Sequence, residues 1–220
     1  MINPNSILLE ARQLSRNYGA FHALHATDFE LTAGKIVVLT GINGAGKTTL
    51  LHTLSGLLRP SGGTVLVEGF DLYREERQAK RRLAFVPDVP RFYTELTAWE
   101  HLQFFARAFE APDNFEVRAE RLLKEFNLWE AKDLFPHHYS RGMRLKLGIL
   151  MALIRPFGVL ILDEPASALD PEGTALLVNK LAELRQQGAA VLLTSHSQEL
   201  STQLGDEVWR MEQGHLETAQ

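Results

Sequence analysis

Cysteine is absent from all 220 residues. That excludes a disulfide framework and any thiolate metal site, and it is compatible with a reducing cytoplasm. Also missing is an apolar run of the roughly 20 residues needed to cross a bilayer, so a role at a membrane would borrow its span from another chain. The first residues, Met1-Ile2-Asn3-Pro4-Asn5, lack the basic start and long apolar core of a secretory leader, and none is expected. Excess positive charge is missing as well. With 23 Lys and Arg against 27 Asp and Glu, the net charge of −4 argues against a nucleic-acid partner. The basic cluster Lys80-Arg81-Arg82 is offset by Glu75 and Glu76 and reads as a solvated helix face. Repeats, low-complexity tracts and linkers are not found. What remains is ordinary globular composition in a chain long enough for one sizeable core.

The pattern along the chain alternates short apolar runs with helical segments. Strands are expected at Ile7 to Glu10, Ala23 to Leu31, Lys35 to Thr40, Thr64 to Val67 and Leu83 to Val86, with a turn at Arg16-Asn17-Tyr18-Gly19. From about Asp88 to Arg155 the character turns helical. Thr97 with Glu100, and Asp113 with Glu116, have the spacing of capping boxes, and a third helix opens at Ser140 and ends before Pro156. Strands return with Val159-Leu160-Ile161-Leu162, apolar throughout as a central parallel strand should be, and Val191 to Thr194. Between them Asp170 and Pro171 open a helix that Gly188 stops. A short helix near Gln198 to Leu204 and strand-like pieces at Val208 to Met211 and His215 to Glu217 close the chain.

Two stretches carry chemistry. Gly41-Ile42-Asn43-Gly44-Ala45-Gly46-Lys47-Thr48 lies between an expected strand and the helix Thr48 to Ser55. In that context glycines let backbone N–H groups curl around an anion, and the helix start adds its partial positive charge. Lys47 would lie along β- and γ-phosphates, and the Thr48 hydroxyl would bind Mg²⁺. The second stretch is Asp163-Glu164, at the C-terminal end of the strand Val159 to Leu162. Parallel sheets present ligands at that end. Asp163 would hold Mg²⁺, and Glu164 would orient or deprotonate an attacking water. His137-His138 has no further ligand obvious nearby and reads as a solvated loop.

Together these stretches resemble the two nucleotide motifs of ABC-type ATPases, and other landmarks follow in that family's order across nearly the whole chain. Ser140-Arg141-Gly142-Met143 resembles the signature loop, Ser167-Ala168-Leu169-Asp170 the dimer-contact loop, His196 the switch histidine, and Tyr18 the aromatic that stacks on adenine. The resemblance implies an α/β P-loop NTPase core with a mostly parallel sheet, an N-terminal antiparallel β subdomain and an inserted helical subdomain. Residues 1–87 and 156–220 would form the core with its β subdomain, and 88–155 the helical signature subdomain. It further implies ATP and Mg²⁺ as ligands. Gly41, Asn43, Gly44, Ala45, Gly46, Lys47, Thr48 and Thr49 would hold the phosphates, and Ser140 and Gly142 would face the nucleotide of a second ATPase subunit. Thr48, Asp88 and Asp163 would serve the metal, and Glu164, His196 and Lys47 the hydrolysis.

The implied setting is the cytoplasmic face of a membrane, reached through an integral membrane permease subunit. Arg91 to Leu96, where the family docks that subunit, reads equally well as core packing. Two alternatives stand beside the transporter reading: a soluble ABC ATPase acting in translation or DNA repair, and a switch without meaningful turnover. Three positions depart from the family pattern. Arg141 stands in place of Gly, Met143 in place of Gln, and Asp88 in place of the Gln that links core and helical lobe. Asp88 and the Ser140-Arg141-Gly142-Met143 variant resemble those of the single-domain ATPases of export-type transporters.

Overall fold

The computed structural model describes residues 6–111 and 113–218. Met1–Asn5, on which the leader expectation rests, lie outside the described residues. Strands β1 (Ile7–Tyr18) and β2 (Phe21–Thr32) form an antiparallel hairpin in which Tyr18 faces Phe21 across a two-residue turn. The turn expected at Arg16–Gly19 therefore falls two residues later, at Gly19-Ala20. Gly19, at φ +60°, supplies the left-handed conformation that tight hairpin loops need, so Tyr18 ends a strand instead of sitting in a loop. On the other side of β1 lies β4 (Gly62–Val67), followed by the short β5 (Phe70–Asp71), giving the order β2-β1-β4-β5.

A second sheet runs β10-β9-β3-β8-β7-β6, built from β3 (Ile36–Thr40), β6 (Leu83–Val86), β7 (Val159–Leu162), β8 (Ala190–Thr194), β9 (Glu207–Glu212) and β10 (His215–Glu217). β3 is parallel to both β8 and β9, and β7 is parallel to β8. Every residue of β7 and β8 is buried, the pattern of strands covered on both faces. Register then fixes the site. Leu162 pairs with Leu193 and Leu39 with Thr194, so the residues following three neighbouring strands emerge side by side. Helix α1 (Lys47–Leu54) follows β3, and α2 (Glu76–Arg82) carries Lys80, Arg81 and Arg82 in its last turn, where cations complement the helix dipole.

The chain divides into two compact units. One holds the residues up to Phe85, Phe157–Glu164 and those from Val178 onward; the other holds Val86–Pro156 and Pro165–Leu177. The second contains α3 (Ala98–Ala108), α4 (Phe115–Glu125) and α5 (Arg141–Leu153). The Thr97–Glu100 box forms in full at α3. The Asp113–Glu116 box does not form: Asn114 takes the cap of α4 without a side-chain bond, which leaves Glu116 in the first turn, one position short of reaching back. His137 and His138 lie in a single 3₁₀ turn, Pro136–His138. Asp170 caps α6 (Pro171–Gln186) by accepting from Gly173 N–H at 2.8 Å, and α7 (Gln198–Leu204) follows β8 with Ser197 as its cap.

Candidate functional site

The loop between β3 and α1 is shaped by what its glycines avoid. A Cβ on Gly41 would lie 2.3 Å from the Met211 carbonyl oxygen, and one on Gly46, at φ +110°, 2.5 Å from that of Ala23. Neither position tolerates a side chain. Ala45 is buried beneath the loop, and its carbonyl accepts from Gly214 N–H at 2.8 Å. The Lys47 side chain curls back over this turn. Its ammonium donates to the carbonyls of Gly41 at 2.6 Å and Ile42 at 3.2 Å, leaving one of its three donors for a ligand.

Opposite stands Asp163, 6% exposed. Its Oδ2 accepts from Thr48 Oγ1 at 3.2 Å and its Oδ1 from Thr194 Oγ1 at 2.7 Å. The same Thr194 hydroxyl accepts from Glu164 N–H at 2.7 Å. Glu164 sits at φ +47°, an uncommon conformation for a residue with a side chain. Its Oε1 is buried, receives no hydrogen bond within the described chain, and lies 3.2 Å from His196 Nε2. Burial raises the Glu164 pKa above the ordinary 4.5, against the opposing pull of His196 and Lys47.

These groups line one cavity of about 640 Å³, within the range of small-molecule sites. Of the residues expected from sequence, Tyr18, Asn43, Gly44, Gly46, Lys47, Thr48, Thr49, Asp163, Glu164 and His196 all border it. Gly41 and Ala45 support the loop from behind. Arg16 lies over the Tyr18 ring at 4.6 Å, which gives the exposed aromatic one occupied face. Sequence reasoning missed Thr194, and also Phe21, His22 and His25, which border the cavity from β2. Thr194 carries no motif of its own. Only its register beside β7 marks it.

Asp88, Ser140 and Gly142 belong to the second unit. Ser140 caps α5, its hydroxyl accepting from Met143 N–H at 3.2 Å. A Cβ on Gly142 would lie 2.7 Å from the Ala168 carbonyl oxygen, so the 167–170 loop approaches α5 closely. Asp88 Oδ1 accepts from Ser167 Oγ at 2.7 Å and from Arg141 Nη2 at 3.3 Å. Among the described residues no cluster of three or more His, Asp or Glu side chains could hold a metal ion. A hydroxyl beside a single carboxylate, as at Thr48 and Asp163, instead suits Mg²⁺, which takes one or two protein carboxylates and completes its shell with phosphate oxygens and water.

A glycine loop at the end of a central parallel strand, backed by an acidic pair on a neighbouring strand, defines a P-loop NTPase core; the antiparallel sheet and inserted helices are those of an ABC ATPase. A family model described as ABC transporter matches residues 24–167. The ABC-type transporter ATP-binding protein EcsA of Bacillus subtilis (strain 168) is 33% identical over 190 residues, covering 86% of this chain and 77% of the relative. The SkfA peptide export ATP-binding protein SkfE of the same organism is 32% identical over 210 residues, covering 95% of this chain and 87% of that one. A solved structure of an ATP-binding subunit of an ABC transporter superimposes with a TM-score of 0.91 at 33% identity, covering 96% of this chain and 90% of the other. The chain belongs to the ABC transporter family, as its ATP-binding domain. Its general function is that domain's: binding and hydrolysis of ATP.

Proposed function

We propose that this chain is the motor subunit of an export-type membrane transporter, closing on a second ATPase subunit around ATP and Mg²⁺. The observation that carries the reading is the convergence of Lys47, Thr48, Asp163, Glu164 and His196 on one cavity. Lys47 and the loop amides bind the β- and γ-phosphates, and Tyr18 offers its exposed ring to the base. Thr48 and Asp163 would hold Mg²⁺, which would supply positive charge against the phosphate oxygens. Glu164 accepts a proton from the attacking water, and its raised pKa brings it nearer the working pH of a general base. His196, beside Glu164 Oε1, keeps that carboxylate directed toward the terminal phosphate.

Ser140 at the start of α5 combines a hydroxyl with a helix N-terminus, a fit for the γ-phosphate held by a second copy. ATP then joins two subunits, and hydrolysis removes the link, so nucleotide state shifts the population between closed and open pairs. The setting that goes with this family is the cytoplasmic face of a membrane, beside a separate permease that provides the span; among the described residues no helix is long and apolar enough to cross a membrane. In the segment Arg91 to Leu96, Tyr93 is 53% exposed, which favours docking over core packing there. The name of SkfE, a peptide export protein, supports the export direction.

Purification from detergent extracts tests the reading. An integral membrane protein that co-purifies and stimulates ATP hydrolysis supports it. Retention on ribosomes or DNA, with no membrane partner, replaces it with the soluble alternative.

A further inference from the structure

Asp88, Arg141 and Ser167 come from three separate stretches of the second unit and meet at one point. Asp88 Oδ1 accepts from Ser167 Oγ at 2.7 Å, while Arg141 Nη2 lies 3.3 Å from both Asp88 Oδ1 and Ser167 Oγ. Each of the three is within hydrogen-bond reach of the other two. Arg141 is the first residue of α5, directly after Ser140. Ser167 precedes Ala168, whose carbonyl oxygen packs where a Cβ on Gly142 would be. The polar triangle and the closest backbone approach therefore fasten the same two pieces, the start of α5 and the 167–170 loop. Asp88 adds a third piece, the stretch Asp88-Val89-Pro90, in which Val89 is 66% exposed.

Stability does not account for the arrangement. The Arg141 and Asp88 side chains are 60% and 38% exposed, and an ion pair that open to water contributes little to folding. Its effect is positional: a charge-assisted contact to a carboxylate that is already bonded to a hydroxyl fixes direction as well as distance. The pairing also joins two of the sequence's departures, an acid at 88 and a base at 141. Each supplies what the other lacks.

We infer that Asp88, Arg141 and Ser167 are positioning residues that form one polar latch, setting the placement of Ser140–Gly142 and of the 167–170 loop relative to the segment at Asp88. On this account Asp88 works through Arg141 and Ser167, not as a magnesium ligand. The readout through turnover rests on the proposed function; a second readout does not.

The test is a double-mutant cycle of Asp88→Asn and Arg141→Gln, with the charge-reversed pair Asp88→Arg and Arg141→Asp. In nucleotide-free protein, amide hydrogen exchange at Met143 and across Ser167 to Leu169 should quicken to the same extent in both single variants. It should be no faster in the double variant and slower again in the reversed pair. ATP turnover should follow the same order, each single variant losing about two- to fivefold in kcat, the range of one solvent-exposed ion pair, with the Mg²⁺ dependence unmoved. Exchange effects that simply add, or a reversed pair that recovers nothing, would overturn the latch. So would an Asp88→Asn variant needing more Mg²⁺ while Arg141→Gln behaves as wild type, which makes Asp88 a metal residue. Wild-type protein without turnover would remove the proposed function and leave the exchange measurement to decide the latch.

Discussion

The Thr194 hydroxyl donates to Asp163 Oδ1 at 2.7 Å while accepting from the Glu164 backbone N–H, also at 2.7 Å. One side chain at the end of β8 thus orients both acids at the end of β7. Thr194→Val keeps the shape and removes the bridge, leaving a buried acceptor and a buried donor without this partner. It should cost about 1–3 kcal/mol in urea denaturation and raise the Mg²⁺ concentration needed for half-maximal turnover. Unchanged values for both would deny Thr194 any part in the site.

Glu164→Gln should lower ATP hydrolysis about 10²- to 10⁴-fold, the usual contribution of a general base, while calorimetry still detects ATP binding. Wild-type turnover in that variant would remove Glu164 from the mechanism. The pH dependence has a definite sign. Because burial raises its pKa, turnover should fall on acidification at a pH above the ordinary glutamate value of 4.5. Between the unfolded and the raised folded pKa the native state binds more protons, so the wild type loses stability as pH rises through that window. Glu164→Gln should lack this step.

The phosphate loop can be challenged at two neighbouring residues with different expected results. Gly46→Ala places a Cβ 2.5 Å from the Ala23 carbonyl oxygen at φ +110°, so both the thermal midpoint and nucleotide affinity should fall. Lys47→Ala removes the side chain beyond Cβ, with the ammonium and its two carbonyl contacts, but adds no clash and no backbone strain. It should weaken ATP binding with a smaller effect on folding. Unaltered ATP affinity in Lys47→Ala would count against the loop as the phosphate site.

His101 is fully buried, with Nδ1 2.7 Å from the Thr97 carbonyl oxygen and Nε2 accepting from Tyr93 N–H at 3.0 Å. This pattern fixes a neutral ring with its proton on Nδ1. Burial holds its pKa below the ordinary 6.5. Its contribution to stability should be complete above pH 6.5 and shrink as the pH falls toward the folded value, because the unfolded chain takes up the proton first. In His101→Gln, the difference in thermal midpoint between pH 7.5 and pH 5.5 should be smaller than in wild type. An equal difference would assign the acid sensitivity to other groups.

The parts of this molecule written locally in the chain could be read before the structure. Gly41–Thr48 sits between an apolar run and a helix, and Asp163-Glu164 ends four apolar residues, so spacing alone placed both. The box at Thr97 and Glu100 formed for the same reason. Local reading failed where the decisive partner is distant or competes by one residue. Asn114 displaced Asp113 as the cap of α4, and the hairpin turn slid to Gly19 because β1 and β2 keep pairing as far as Tyr18. Thr194 gains its role from strand register, and Asp88 meets Arg141 53 positions away. Neither relationship leaves a periodic trace.

Glu164 occupies a backbone conformation at φ +47° that disfavours any residue with a Cβ, typically by about 1–3 kcal/mol, and its carboxylate is partly withdrawn from water as well. Glycine would relax the first burden and a neutral side chain the second. Drift toward a sturdier protein therefore leads away from an acid at this position. A domain that only sensed nucleotide would have every reason to let it go; one that must break the terminal bond again and again would not.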